Sequence, residues 1–219
     1  MRWFTGSEFT QALSDMHIVK AVPRVIRATL LLLAAGACAP AASVGPPPIT
    51  RDPSAEYKFY DVVGDSPGAL WRSMRESGPP PADGFPALGR TDWNVTWRAS
   101  WDGAGICQVR NADVRLQTTI TLPRWNPPAT APAALVAQWD AFLRALSVHE
   151  AGHAEIGSEA ARVVRRELER VTAPDCASMN SRTQEAVGRV LEDFRAGNRS
   201  YDAQTRHGVT QGAVWPPRS

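Results

Sequence analysis

The residues of this chain best suited to do chemistry are His149-Glu150-Ala151-Gly152-His153. On an α-helix, side chains four apart share a face, so the two imidazoles can converge on one ion. Glu150 is turned by about 100 degrees from His149, which leaves its carboxylate to address a water on that ion. Imidazole donors suit zinc better than calcium or magnesium. Zinc lowers the pKa of its water to about 7, and a neighbouring carboxylate can take the proton as hydroxide attacks a polarised carbonyl, then pass it to a leaving amine. The pattern predicts a Zn2+-dependent hydrolase with His149 and His153 as ligands and Glu150 as general base.

A catalytic zinc takes three protein ligands and keeps a further position open. The histidines are His17, His149, His153 and His207, and His17 lies before or within a removable leader. His207 is therefore the first candidate for the third ligand, with Asp202 and Glu159 as rivals. The extended motif with glycine three places and histidine six places after the second histidine is absent, because Ile156 and Glu159 stand there.

Several elements must position these groups. Leu135, Trp139, Phe142, Leu146, His149, His153, Ile156, Ala160 and Val163 follow steps of three and four, which predicts one helix running to about Val171 with both histidines on its apolar stripe. Gly152 and Gly157 inside that run suggest a bend or break. Before it, Trp93, Val95, Trp97, Ala99 and Trp101 alternate with polar residues, as do Val114, Leu116, Ile120 and Leu122. Period two predicts two half-buried strands, antiparallel across a turn at Asp102 to Gly105, with the tryptophans in the core. Residues 57 to 63 read as a further strand and Pro67 to Glu76 as a short helix, followed by a proline-rich loop from Ser77 to Pro86. A last helix is expected from about Arg182 to Ala196, opened by Ser181 and Gln184 in capping-box spacing and closed by Gly197. The sum is an α+β, zincin-like domain: a small, mostly antiparallel sheet packed on a long active-site helix, with a second helix near the C-terminus.

The chain has 219 residues, with a formal net charge of +2 spread without blocks, so nothing in it resembles a nucleic-acid footprint. Lys20, Arg24 and Arg27 precede a short apolar run from Ala28 to Ala35, the layout of a signal peptide over residues 1–37, with Met16 as an alternative start. Leu33-Ala34-Ala35-Gly36-Ala37-Cys38 resembles a bacterial lipoprotein cleavage box. With alanine at 39, it implies a lipid on Cys38 and the periplasmic side of the outer membrane; plain secretion is the alternative. Residues 38–56, rich in Pro, Ala and Ser, read as a tether to a domain over 57–219. Cys107 and Cys176 then form an even pair in an exported chain and are expected to be bridged.

The strand ending Thr121-Leu122-Pro123-Arg124-Trp125, the helix with the two histidines, and the ending Tyr201-Asp202-Ala203-Gln204-Thr205-Arg206-His207-Gly208 together resemble the bacterial "domain of unknown function 922" family, described as predicted secreted zinc-dependent proteases. The resemblance runs from about Tyr57 to Ala213. It implies a ligand role for His207, a carboxylate supporting a ligand at Asp202, and a phenol at Tyr201 able to stabilise an oxyanion, or else a structural turn for these last two. The reading is a zinc metallopeptidase acting on peptide or protein. A non-catalytic metal-binding lipoprotein and a zinc amidase acting on peptidoglycan are the alternatives.

Overall fold

Apolar alternation in the sequence becomes a sheet whose helix-facing side is covered by two long helices. The computed structural model describes residues 54–80 and 87–217, all within the unit Val44–Ser219. The expected leader, the Cys38 box, most of the tether and residues 81–86 of the proline-rich loop lie outside the described residues. The elements in order are β1 (Glu56–Val62), α1 (Pro67–Ser77), β2 (Arg90–Asp102), β3 (Cys107–Trp125), α2 (Ala133–Arg170), β4 (Thr172–Ala173) and α3 (Met179–Thr205), followed by a 3-10 turn at Val209–Gln211. No helix among the described residues is long and apolar enough to cross a membrane.

β3 is the central strand. β2 pairs with it antiparallel from Arg90↔Thr121 to Asp102↔Gln108, with a register shift at Ser100/Trp101, and β1 pairs with its far end in parallel, from Glu56↔Thr119 to Val62↔Trp125. The two-residue β4 adds to the start of β3, where the expected disulfide between Cys107 and Cys176 is formed. The sheet is thus mixed rather than wholly antiparallel, because β1 reaches β3 only after the chain has passed through α1 and β2.

Two apolar clusters hold α2 against the sheet. The half of α2 before the histidines packs Leu135, Trp139, Phe142 and Leu146 on Val62, Ile120, Leu122 and Trp125. There Trp139 makes an edge contact with Trp125 at 5.6 Å and with Trp215 at 5.5 Å. The half after them packs Ala160, Val164 and Leu168 against Val95 of β2 and Val187 and Val190 of α3, with Trp93 and Trp97 half-buried beside them. The strand tryptophans therefore belong to the core, as their alternation predicts.

α2 runs unbroken through both glycines. A Cβ at Gly157 would stand 2.7 Å from Trp93 Cγ, and one at Gly152 would run into the Tyr201 hydroxyl. The glycines thus serve close approach, not bending. α3 also exceeds its expected bounds: it begins after Ser178 instead of using the Ser181 box, and it passes Gly197 to Thr205. The extension carries the tail motif onto a helix, so that Asn198, Tyr201, Asp202 and Thr205, spaced by threes and fours, share the face turned toward α2.

A candidate metal centre

His149 and His153 project from adjacent turns of α2 and are buried, with 4% and 6% exposure. Their Nε2 atoms lie 3.3 Å apart. Asp202, from the last turns of α3, places Oδ1 3.2 Å from His149 Nε2 and 3.0 Å from His153 Nε2. These three atoms are the described group of histidine, cysteine and acidic side chains able to hold a metal ion.

The hydrogen bonds behind the rings decide which atoms face inward. His153 Nδ1 lies 2.9 Å from Asn198 Oδ1, which also receives the indole Nε1–H of Trp93 at 3.5 Å. Indole nitrogen only donates, so the Asn198 atom is the acceptor oxygen and His153 Nδ1 carries a proton. His149 Nδ1 lies 3.0 Å from Gln211 Oε1, while Gln211 Nε2 donates to the Tyr201 hydroxyl at 3.0 Å, orienting the amide oxygen toward the ring. With both Nδ1 atoms taken up by these outer bonds, the Nε2 atoms are the ones that face each other and a carboxylate oxygen. Three such donor atoms at this separation need a positive charge among them, supplied by a proton on Nε2 when no metal is bound or by a metal ion in its place. At zinc bond lengths of about 2.0–2.1 Å, neighbouring ligand atoms of a tetrahedron sit about 3.3–3.4 Å apart, close to the triangle found here. The residues fit a metal of this kind.

Charge in the cluster follows the same geometry. Burial by itself would raise the Asp202 pKa, but hydrogen bonds and charge from His149 and His153 hold it well below the usual carboxylate range. Burial would likewise depress His153, yet the hydrogen bonds to Asp202 and Asn198 raise it. Glu150 is 3% exposed; burial raises its pKa, opposed first by the Thr91 hydroxyl, which donates to Oε2 at 2.8 Å, and then by the two histidines. Thr91 lies at the start of β2, so the sheet holds the carboxylate beside the donor triangle. Glu150, His149, His153 and Asp202 all line one cavity of about 870 Å³.

The remaining sequence candidates are placed as follows. His207 lies beside the triangle but outside it, its Nδ1 3.6 Å from Asp202 Oδ1 and its side chain 37% exposed. It follows the C-terminus of α3 in left-handed backbone, φ 53, after Arg206 at φ 50, a conformation that costs non-glycine residues about 1–2 kcal/mol each. Gly208 continues the turn at φ 81, where a Cβ would press on His149 Cγ at 3.0 Å. Tyr201 is not among the residues lining the cavity. Its ring stacks on His149 at 5.2 Å and 13°, and its hydroxyl donates to the His149 carbonyl at 3.3 Å. Glu159 pairs with Arg162 at 2.7 Å and Arg166 at 3.0 Å. Asn198, Gln211 and Thr91 carry no chemical signature in the sequence; the one hint is that Asn198 falls four places before Asp202.

Compared with known proteins, residues 57–208 match the family model described as "Bacterial protein of unknown function (DUF922)". No curated protein and no solved structure matches the chain.

Proposed function

The chain belongs to the DUF922 family of bacterial proteins, and from that premise and the geometry of its site we propose that it is a zinc-dependent hydrolase of peptides, acting outside the cytoplasm. The observation that carries the reading is the triangle of His149 Nε2, His153 Nε2 and Asp202 Oδ1 with the buried Glu150 carboxylate in the same cavity. A zinc ion held there would polarise a substrate carbonyl and lower the pKa of the attacking water. Asp202 would supply the third ligand beside the two histidines. Glu150, fixed by Thr91, takes the proton of the attacking water and returns it to the leaving amine, a role suited to a carboxylate whose pKa burial moves upward. Tyr201 and Gln211 keep the His149 ring in place, and Asn198 does the same for His153.

Peptide is supported as substrate by the edge of the sheet. Among the described residues β2 pairs with β3 alone, and its first residues border a groove that also includes Leu191, Arg195 and Asn198 of α3. Thr91 and Asn198 belong both to this groove and to the cavity over the triangle. An extended chain added to β2 would lead straight to Glu150. Export is supported by the leader pattern and by the Cys107–Cys176 bridge.

The test is paired: metal content and cleavage of a peptide library are measured for the purified protein and for Glu150→Gln. The proposal expects the variant to keep its metal and lose cleavage. A second reading, a closed site that binds metal without turnover, is favoured by His207 standing 3.6 Å from Asp202. It expects His207→Ala to weaken zinc binding as strongly as Asp202→Ala does, and wild type to cleave nothing.

A further inference from the structure

The cavity over the triangle is lined by residues of two unlike kinds. One is apolar: Trp71 of α1, Leu88, Leu146 of α2, and Val214 and Trp215 after α3. It is the open face of packed core. Leu146 and Trp215 are 3% and 5% exposed, Trp215 packs on Phe142 at 5.4 Å, and its indole Nε1–H donates to the Pro67 carbonyl at 3.0 Å, tying this tail to the start of α1. Such a wall keeps its shape when a ligand arrives, which favours selection by fit.

The other kind is cationic. Arg90 is neutralised by Asp92 at 2.8 Å. Arg206 also lines the cavity, and among the described residues its guanidinium has no hydrogen bond, ion pair or ring contact. Its backbone is held in the left-handed region at φ 50, with the N–H directed to Ala203 and Asp202 carbonyls. The Cα of this arginine is therefore held four residues beyond Asp202 of the triangle. A guanidinium unpaired among the described residues, in the same cavity as an apolar wall, is suited to take an anion from the ligand, and its planar fork matches a carboxylate.

We propose that the cavity is a two-part substrate pocket, in which the apolar wall takes one bulky apolar side chain of a peptide and Arg206 binds a carboxylate on the same peptide. The choice of peptide rests on the hydrolase reading above. The carboxylate comes from the peptide C-terminus or from an acidic side chain, and both present the same group to Arg206.

The experiment uses the full chain loaded with zinc and carrying Glu150→Gln, so that bound peptide persists, with calorimetric titration as the readout. The probes are acetyl-Ala-Ala-Phe with a free carboxylate, its amide, acetyl-Ala-Glu-Phe amide, and acetyl-Ala-Ala-Gly with a free carboxylate. At least one of the two Phe peptides bearing a carboxylate should bind about tenfold or more tightly than acetyl-Ala-Ala-Phe amide, and which one does so identifies the source. Replacing Phe by Gly should weaken binding by about tenfold or more. Adding Arg206→Gln should abolish the carboxylate preference, while Arg206→Lys retains part of it and Trp71→Ala narrows the gap between Phe and Gly. Equal affinity for all four probes, or a carboxylate preference that survives Arg206→Gln, overturns the pocket. If these preferences hold but the wild type cleaves no peptide, the pocket stands and the hydrolase reading fails. Cleavage indifferent to both features leaves hydrolysis standing and removes the pocket.

Discussion

Replacing Asn198 by alanine takes away the oxygen that accepts from His153 Nδ1 at 2.9 Å and from the Trp93 indole at 3.5 Å, and it leaves the three inward-facing donor atoms untouched. Losing such an outer partner lowers metal affinity by about 10–100-fold, or about 1.4–2.7 kcal/mol. His153 is 6% exposed, so solvent is poorly placed to substitute for the lost acceptor. The consequence can be read as a thermal shift. With zinc at 100 times the wild-type Kd, binding stabilises the fold by about 2.7 kcal/mol; after a 30-fold loss of affinity the same zinc adds only about 0.9 kcal/mol. At about 2–4 °C per kcal/mol for a domain of this size, the zinc-induced rise in Tm falls from about 5–11 °C to about 2–3 °C. Leaving the Trp93 indole unpaired costs stability with or without zinc, so the difference between zinc and chelator scans isolates the metal term. Asn198→Asp, which keeps an acceptor at the same place, should retain the large shift. Equal zinc-induced shifts in wild type and Asn198→Ala would refute the reasoning and show that packing alone orients the ring.

Three further outcomes follow from the same contacts. Gly152→Ala drives a methyl group into the Tyr201 phenol that stacks on His149; it should cost about 1–3 kcal/mol in urea unfolding, and an unchanged midpoint would contradict the close approach. Cys176→Ser opens a loop with a sequence separation of 69, worth about 4 kcal/mol by loop entropy. Reductant should then lower the urea midpoint of wild type but not of the variant. In chelator, burial places the Glu150 pKa above its ordinary 4.5, so ionising this group opposes folding: the cost is absent below the unfolded pKa and complete above the folded one. Glu150→Gln should therefore exceed wild type in stability at about pH 8, with the advantage shrinking as pH falls toward about 4.5; a gap that ignores pH would count against a buried, pKa-raised carboxylate.

What could be read from the sequence was whatever repeats with the period of an element. Alternation around Trp93 and Leu116 located β2 and β3, and steps of three and four located α2 with both histidines on one stripe. The parallel pairing of β1 was not legible, because pairing direction depends on the path through α1 and not on the residues of the strand. Gly152 and Gly157 suggested a bend because a helix has no use for a missing side chain until another element presses on it. Those elements, carrying Tyr201 and Trp93, lie far away in sequence. Gly197 reads as a stop in the sequence because glycine is a common helix terminator. A Cβ there would meet nothing, so this glycine only weakens a helix that tertiary contacts carry onward.

The sequence puts His207 ahead of Asp202 because histidines are scarce, whereas the face that brings Asp202 to the two histidines exists only where α3 continues past Gly197. Treated as tail, the stretch from Tyr201 to Gly208 offers its groups in no fixed order, and scarcity favours the histidine: the chain has four histidines against 22 acidic residues. Treated as helix, it presents Asn198, Tyr201, Asp202 and Thr205 on one face, and a rigid turn can aim Asp202 at two rings already fixed one turn apart on α2. His207 falls beyond the helix end, where the backbone turns left-handed and carries the ring toward the rim. Rigid elements define the triangle, and the residues that follow α3 border the cavity above it, so that in the proposed hydrolase the groups that would hold the metal are distinct from those that would meet a substrate.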